Sequence, residues 1–265
     1  MSKSKISWTT RTWNPTTGCD PITSGCKFCY AKPIALNLQK EGNHAYRNGF
    51  KVTCQPSRLL SPYRWPPSLV FVNSMSDLFH SDIPKDYRKE IFKVMNLCPQ
   101  HEFQILTKRS KNLVELSEGL NWAKNIWMGV SVENEDYRYR IDDLRTVDAK
   151  VRFLSIEPLI GEIKDLDLSG IHWVIVGGES GPKTRPMKKE WVERIQSICK
   201  EQNVRFFLKQ WGKIQNNPDW HSDLTVSRSH PYHEKGGRML NGKIYNAMPV
   251  GKEFVSSYLG NKKAA

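Results

Sequence analysis

The sequence contains no apolar run approaching the roughly 18 residues that a membrane-spanning helix needs, which excludes that class of membrane protein. Its first residues, Met-Ser-Lys-Ser-Lys-Ile-Ser-Trp, hold no apolar segment of signal-peptide type, so a cytoplasmic protein with no membrane partner is expected. Low-complexity tracts and long linkers are missing too, and 265 residues then suit one large α/β domain with a real core, or two small ones. Acidic residues are scarce: 27 Asp and Glu stand against 40 Lys and Arg, a net charge of +13. Cysteines number six, and in a cytoplasmic chain they are expected to be reduced, metal-bound or buried, with no disulfide framework.

The charge excess is uneven. Residues 1–65 carry ten Lys/Arg against two acids (+8), residues 66–179 fourteen against eighteen (−4), and residues 180–265 sixteen against seven (+9). Two basic ends around a mildly acidic middle predict a basic face built from both termini, the electrostatic footprint of a polyanion, with nucleic acid the expected partner. Aromatics interleave with the charge in both basic segments, where they can stack on bases. The plainer alternative is that a high pI only aids solubility. Oligomeric state and dependence on a protein encoded nearby leave no mark in the sequence.

Cys19, Cys26 and Cys29 form the spacing C-x6-C-x2-C in a run rich in glycine and proline, Asn14-Pro-Thr-Thr-Gly-Cys-Asp-Pro-Ile-Thr-Ser-Gly-Cys-Lys-Phe-Cys-Tyr-Ala31. Such a stretch is a loop able to wrap an inorganic group. Three thiolates leave a four-iron cluster one iron short of a protein ligand, an open position for substrate or cofactor. A closed structural metal site would want a fourth ligand, and none is evident nearby.

From residue 69 onward a unit repeats: a short apolar run, a polar tip, then a helical stretch. The runs Leu69–Asn73, Glu102–Thr107, Ile126–Ser131, Val151–Ile156, Trp173–Val176 and Arg205–Leu208 read as buried parallel strands. Residues 85–98, 110–118, 135–146 and 188–202 read as helices between them. With a first strand at Ser7–Trp13, the expected fold is a full or partial (β/α) barrel over residues 1–215 that carries the cysteine loop. A C-terminal extension, 216–265, follows. There Met239-Leu-Asn-Gly-Lys-Ile-Tyr245 signals a small β hairpin. An open doubly wound sheet is the competing topology. The tips are polar throughout: Ser74-Met-Ser-Asp77, Thr107-Lys-Arg109, Ser131-Val-Glu-Asn134, Glu157-Pro158, Gly177-Gly-Glu-Ser180 and Lys209-Gln-Trp-Gly212. In a parallel barrel they share the rim on which active sites are built. Singly, each tip also looks like a helix cap.

These residues resemble the radical S-adenosylmethionine superfamily, in which three cysteines follow the first strand of a (β/α) barrel with an aromatic before the last; Cys26-Lys-Phe-Cys29 has that ending. The first gap here is six residues where that superfamily commonly has three. The chain also resembles a phage-borne "three-Cys motif" family of unknown function. That likeness rests on Asn14-Pro-x-x-Gly-Cys19, Ser76-Asp-Leu-Phe79, Leu106-Thr-Lys-Arg109, Gly129-Val-Ser-Val-Glu-Asn134, Ser155-Ile-Glu-Pro158 and Gly177-Gly-Glu-Ser-Gly181. The superfamily resemblance implies that Cys19, Cys26 and Cys29 ligate a [4Fe–4S] cluster whose open iron chelates S-adenosyl-L-methionine. It implies that Ser74, Ser76 and Asp77 hold the cofactor's amino group, that Ser131, Glu133 and Asn134 suit its ribose hydroxyls, and that Gly177 and Gly178 allow close approach. Lys108, Arg109, Glu157, Glu179 and Lys209 are then candidates for substrate contact, or else salt bridges. His80, Glu157 and Lys209 are the catalytic candidates. The implied activity is modification or repair of DNA or of a nucleotide-derived substrate.

The competing function is a non-catalytic, zinc-clipped barrel that binds nucleic acid through the same cysteines, with Cys54 or a histidine as a fourth ligand. Cys98 and Cys199 read as buried core thiols. His221, His230 and His233, near Trp220 and Tyr232, match no standard zinc spacing. Lys243, Lys262 and Lys263 read as phosphate contacts or solvated charges.

Overall fold

The computed structural model describes residues 4–181, 183–222 and 235–249, and the chain falls into two compact units. The first comprises Met1–Val130 with Arg140–Arg152, the second Ser131–Tyr139 with Phe153–Ala265. His230, Tyr232, His233, Lys262 and Lys263 lie outside the described residues.

In the first unit four parallel strands pair in the order β1 (Arg11–Trp13), β4 (Leu69–Val72), β5 (Glu102–Thr107) and β6 (Ile126–Ser131). All four residues of β4 and all six of β6 are buried, so these strands show continuous apolar runs where a half-exposed strand would alternate. Helix α3 (Lys85–Asn96) joins β4 to β5. It buries Arg88, Ile91, Phe92 and Met95, a spacing of three and four that lines one helical face; each such apolar side chain stabilises by about 1.5–3 kcal/mol. Helix α4 (Ser110–Leu116) follows β5 and packs on α5 (Arg140–Arg145).

In the second unit β7 (Val151–Ile156), β8 (Trp173–Gly177) and β9 (Arg205–Gln210) are parallel neighbours in that order, and α6 (Lys189–Glu201) crosses from β8 to β9. Val192, Ile195 and Cys199 form its buried stripe. The hairpin β10 (Met239–Leu240) and β11 (Lys243–Ile244) is present, turned by Asn241 at φ 51° and Gly242 at φ 71°. It is tied to β9: Leu208 N–H donates to Tyr245 O at 3.1 Å, and the Trp211 indole donates to Met239 O at 2.8 Å.

Among the described residues seven parallel strands, four and three, with helices in most of their crossovers (none between β7 and β8), are the repeat of a partial (β/α) barrel, the fold class the sequence implied. One helix is shorter than expected. Residues 135–146 resolve into a single 3-10 turn, Glu135–Tyr137, and then α5. Glu135, at the start of that turn, is tied outside it: its N–H donates to Glu162 O at 3.2 Å and its carboxylate accepts from Lys164 N–H at 2.9 Å. Residues 14–68, without a clear period in the sequence, contain a short antiparallel pair, β2 (Thr16–Thr17) with β3 (Thr53–Cys54), and two helices, α1 (Ala31–Lys40) and α2 (Pro56–Leu59). Among the described residues no helix is long and apolar enough to cross a membrane. All six cysteines are free thiols; Cys98 and Cys199 are fully buried.

Candidate functional site

The segment between β1 and the first cysteine is fastened along the tip of β4. Asn73 N–H donates to Trp13 O at 2.7 Å, Met75 N–H to Asn14 Oδ1 at 3.0 Å, and Gly18 N–H to Met75 O at 2.9 Å. Asn14 donates to Ser74 Oγ at 3.2 Å, and the hydroxyls of Thr16 and Ser76 lie 2.7 Å apart. Ser74 and Ser76, expected at a cofactor amino group, therefore use their hydroxyls to hold the approach to the cysteine loop. Gly18 sits at φ +87°, and a Cβ there would lie 2.2 Å from Lys51 O, so backbone passes where a side chain would be. Cys19 N–H donates to Phe50 O at 3.2 Å.

Cys26 ends a 3-10 turn, Ser24–Cys26, and Cys29 N–H donates to Cys26 O at 3.2 Å. Cys29 packs against Ala31, Ala35, Tyr46 and Met75, while the Tyr30 hydroxyl donates to Ser74 O at 2.7 Å. All three cysteines are partly exposed.

The tips of β4 and β5 bring charge to these thiols. Asp77, buried, accepts four hydrogen bonds. Thr107 Oγ1 at 2.7 Å and Phe79 N–H at 3.0 Å reach Oδ1; Lys108 N–H at 3.2 Å and Arg109 Nη1 at 3.3 Å reach Oδ2. Arg109 Nη1 also donates to Cys19 Sγ at 3.3 Å, and its Nη2 to Asp20 O at 3.0 Å. Burial, with the Asp77 charge, pushes the Cys19 thiol up to about 11 against the pull of Arg109. At Cys26 burial acts in the same sense, but the Lys108 charge and hydrogen bonds from Thr23 outweigh it and lower the thiol below its usual range. Burial disfavours charge on Arg109, yet Asp77 and Cys19 raise its pKa.

His80, 4% exposed, lies beyond the same tip. Its Nε2 is 3.2 Å from Asp20 Oδ2, and its Nδ1 accepts from Asp82 N–H at 3.2 Å. Asp20, His80 and Asp82 place three ligand atoms within 4.8 Å of one another, a metal-sized grouping, but both ring nitrogens already have partners. His80 thus fastens the residue after Cys19 to the end of β4. Its own loop is held from beneath by Arg88, 1% exposed, which donates to the carbonyls of Leu78, His80 and Ile83 at 3.1–3.3 Å.

In the second unit Lys209 Nζ reaches both Glu157 oxygens, at 2.7 and 2.8 Å, and Gln210 Nε2 adds a bond to Oε1 at 3.1 Å. Gln210 Nε2 also donates to Gly178 O and Ser180 Oγ. Glu179, 4% exposed, accepts from Arg185 N–H and Nε, each at 2.9 Å, and from its Nη2. Arg185 is raised chiefly by that bond, with the charge of Glu133 contributing. Arg109, Glu157, Glu179 and Lys209 are thus all in ion pairs, the alternative role the sequence left open for them. Glu133 and Ser131 are fully buried, and the Asn134 amide donates to Asp136 Oδ2 at 3.0 Å. Gly177 and Gly178 leave room for the protein itself: a Cβ on Gly177 would lie 3.0 Å from the Glu157 carboxyl carbon, and one on Gly178 2.3 Å from Trp211 O.

Sequence reasoning missed Asn14, Gly18, Thr107, Arg185 and Gln210 as working parts of these sites, and it offered Arg109 as a substrate contact or a salt bridge without its bond to Cys19. The signals were present in Thr17-Gly-Cys19 and Leu106-Thr-Lys-Arg109, but their partners lie 30 to 90 residues away.

No curated protein matches the chain. A solved structure described as a spore photoproduct lyase mutant with bound AdoMet and dinucleoside spore photoproduct is similar to it at 13% identity and a TM-score of 0.40, over 62% of this chain. The match spans 55% of that protein, little more than half its length. A family model described as "Protein of unknown function (DUF5131)" matches residues 3–249, and the chain belongs to that family.

Proposed function

We propose that the chain is a [4Fe–4S] enzyme of S-adenosylmethionine-dependent type, acting on nucleic acid or a nucleotide-derived substrate. The observation that carries this reading is the cysteine loop itself. Three part-exposed thiols sit on a segment stapled to the tips of two parallel strands, with a buried guanidinium on one sulfur and a lysine charge near another. The lysine charge near Cys26 favours its thiolate, the form that ligates metal, while at Cys19 the pull of Arg109 works against burial and the Asp77 charge. The donor set fits the group: three sulfurs for three irons, with the fourth open.

The chemistry the group supplies when bound is one-electron cleavage of a carbon–sulfur bond in the sulfonium cofactor. The chain's own residues do the rest. Ser74, Ser76 and Asp77 hold the loop in register with the end of β4 and carry the groups suited to the cofactor's amino end. Ser131, Glu133 and Asn134 are the hydroxyl and acceptor groups suited to vicinal ribose hydroxyls. Glu157 and Lys209 form a partly exposed pair able to hold or move a proton at the carboxylate oxygens, and His80 keeps the cysteine loop closed.

For the polyanion partner, support comes from Tyr30 and Tyr63, 52% and 45% exposed, on the same segment as the exposed Lys27, Lys32, Lys40, Arg47, Lys51 and Arg64.

The test is anaerobic reconstitution followed by measurement of iron, sulfide and zinc, then addition of dithionite and S-adenosylmethionine. Release of 5′-deoxyadenosine that disappears in Cys26→Ala is expected. One zinc per chain with no iron sinks the proposal. DNA affinity is expected to fall linearly with log salt; a flat dependence contradicts contact through several phosphates.

A further inference from the structure

We infer that Arg109 is a positioning residue for the iron–sulfur centre: anchored on Asp77, its guanidinium holds the Cys19 sulfur as a ligand and stabilises the negative charge that the centre gains on one-electron reduction. The inference rests on the cluster reading above and goes beyond it by assigning the group that sets how readily the centre accepts an electron.

The geometry of the fork carries it. One nitrogen of Arg109 is shared between Cys19 Sγ and Asp77 Oδ2, each at 3.3 Å, and the other holds the carbonyl of Asp20, the residue after Cys19, at 3.0 Å. The guanidinium therefore grips Cys19 at both its sulfur and its outgoing backbone. Asp77 cannot swing away, because Thr107 Oγ1 and the N–H groups of Phe79 and Lys108 fix its other lone pairs. Both side chains of the pair are more than nine-tenths buried, at 9% and 8% exposed, so water screens the charge weakly. Burying an ion pair costs desolvation, and a hydrophobic pair of the same volume would serve stability as well or better. A cation kept here, against a sulfur, does something packing does not: hydrogen bonds to cluster sulfurs and nearby positive charge favour the reduced form. A guanidinium suits the task because it is always charged and presents several donors in one plane, where a lysine offers a single point charge.

The experiment compares wild type, Arg109→Gln and Arg109→Lys after anaerobic reconstitution. Iron content, the fraction of cluster reduced at one fixed dye potential, and the electron paramagnetic resonance of the reduced centre are read, with folding followed by circular dichroism. Arg109→Gln is expected to retain iron while its ratio of reduced to oxidised cluster falls about tenfold, equivalent to about 59 mV for one electron. Arg109→Lys, which keeps the charge and loses the fork, is expected to recover the reduced fraction to within about twofold of wild type with a shifted resonance line, because ligand hydrogen bonds tune the centre. A glutamine variant with wild-type iron, reduced fraction and resonance overturns the inference and leaves the cluster reading standing. A wild-type chain that holds no iron overturns both. If the glutamine variant does not fold, the lysine variant decides: a shifted line supports the role of the fork, and a line identical to wild type overturns it.

Discussion

The strand tips of the two units solve the problem of buried polarity differently. In the first unit Asp77, Ser74, Ser76 and Asn14 divide their bonds between backbone groups and side chains of neighbouring segments, and the Arg109 guanidinium, paired with Asp77, also reaches a thiol. In the second, charges answer charges: Glu157 with Lys209, and Glu179 with Arg185. Backbone partners cannot rotate away, so the first arrangement fixes a loop in place. Side-chain ion pairs can be exchanged for a ligand's charges at modest cost when they are partly wet, as the Glu157–Lys209 pair is. The first tip is built as a frame and the second as a set of replaceable partners.

The comparison breaks most visibly at Asp77. Asp77→Ala strands Arg109 as a buried, uncompensated charge and removes the acceptor for four donors; a loss of about 3–5 kcal/mol of stability is expected, read from the urea midpoint. Gly18→Ala comes next. With φ at +87° and Lys51 O in the way, it is expected to cost about 2–4 kcal/mol and to lower iron uptake on reconstitution even where the fold survives. Lys209→Met tests the softer tip. Glu157 keeps Gln210 as a donor and some water, so the loss should be only about 1 kcal/mol, and a loss as large as that of Asp77→Ala would erase the contrast between the two units.

An effect that depends on pH is expected away from both tips, at Glu102 at the start of β5. Burial pushes its carboxyl up to about 7 from an ordinary 4.5, with a hydrogen bond involving Trp127 working against the rise. The folded state therefore binds more protons than the unfolded one between those two values. Stability falls as pH rises through that window and stays reduced above it. Glu102→Gln should gain about 1–2 kcal/mol at pH 8 and almost nothing at pH 4, with urea midpoints at the two pH values as the check.

Much of this architecture was legible because buried parallel strands leave a plain mark. Val70, Phe71 and Val72, or Ile126 to Val130, are apolar in succession for lack of a wet face, and the polar residues after them mark the tips. Helices α3 and α6 showed their apolar stripes in the same way. Helix α1 did not. Only Ala31 and Ala35 of it are buried, while Ile34 and Leu36 are 44% and 38% exposed, so its apolar residues do not fall on its buried face. Partnership was the harder part. Arg88 looks like a solvated helix charge until the carbonyls of Leu78, His80 and Ile83 are seen around it, and nothing local in Arg109 names Cys19. The two glycines after β8 illustrate the same limit: a sequence shows that no side chain fits, but not whether a ligand or the carbonyl of Trp211 occupies the space.

The fastening of the cysteine loop also orders events in time. Its anchors at Ser74, Ser76 and His80 stand about 60 residues downstream of the segment they hold, and Arg109 stands 90 beyond Cys19. A ribosome releases the three cysteines long before it releases the residues that shape them. Newly made chain must carry three loose thiols, open to oxidation, until β5 has emerged and closed on them; on the proposed reading, loading of the cluster would be a late step of biosynthesis.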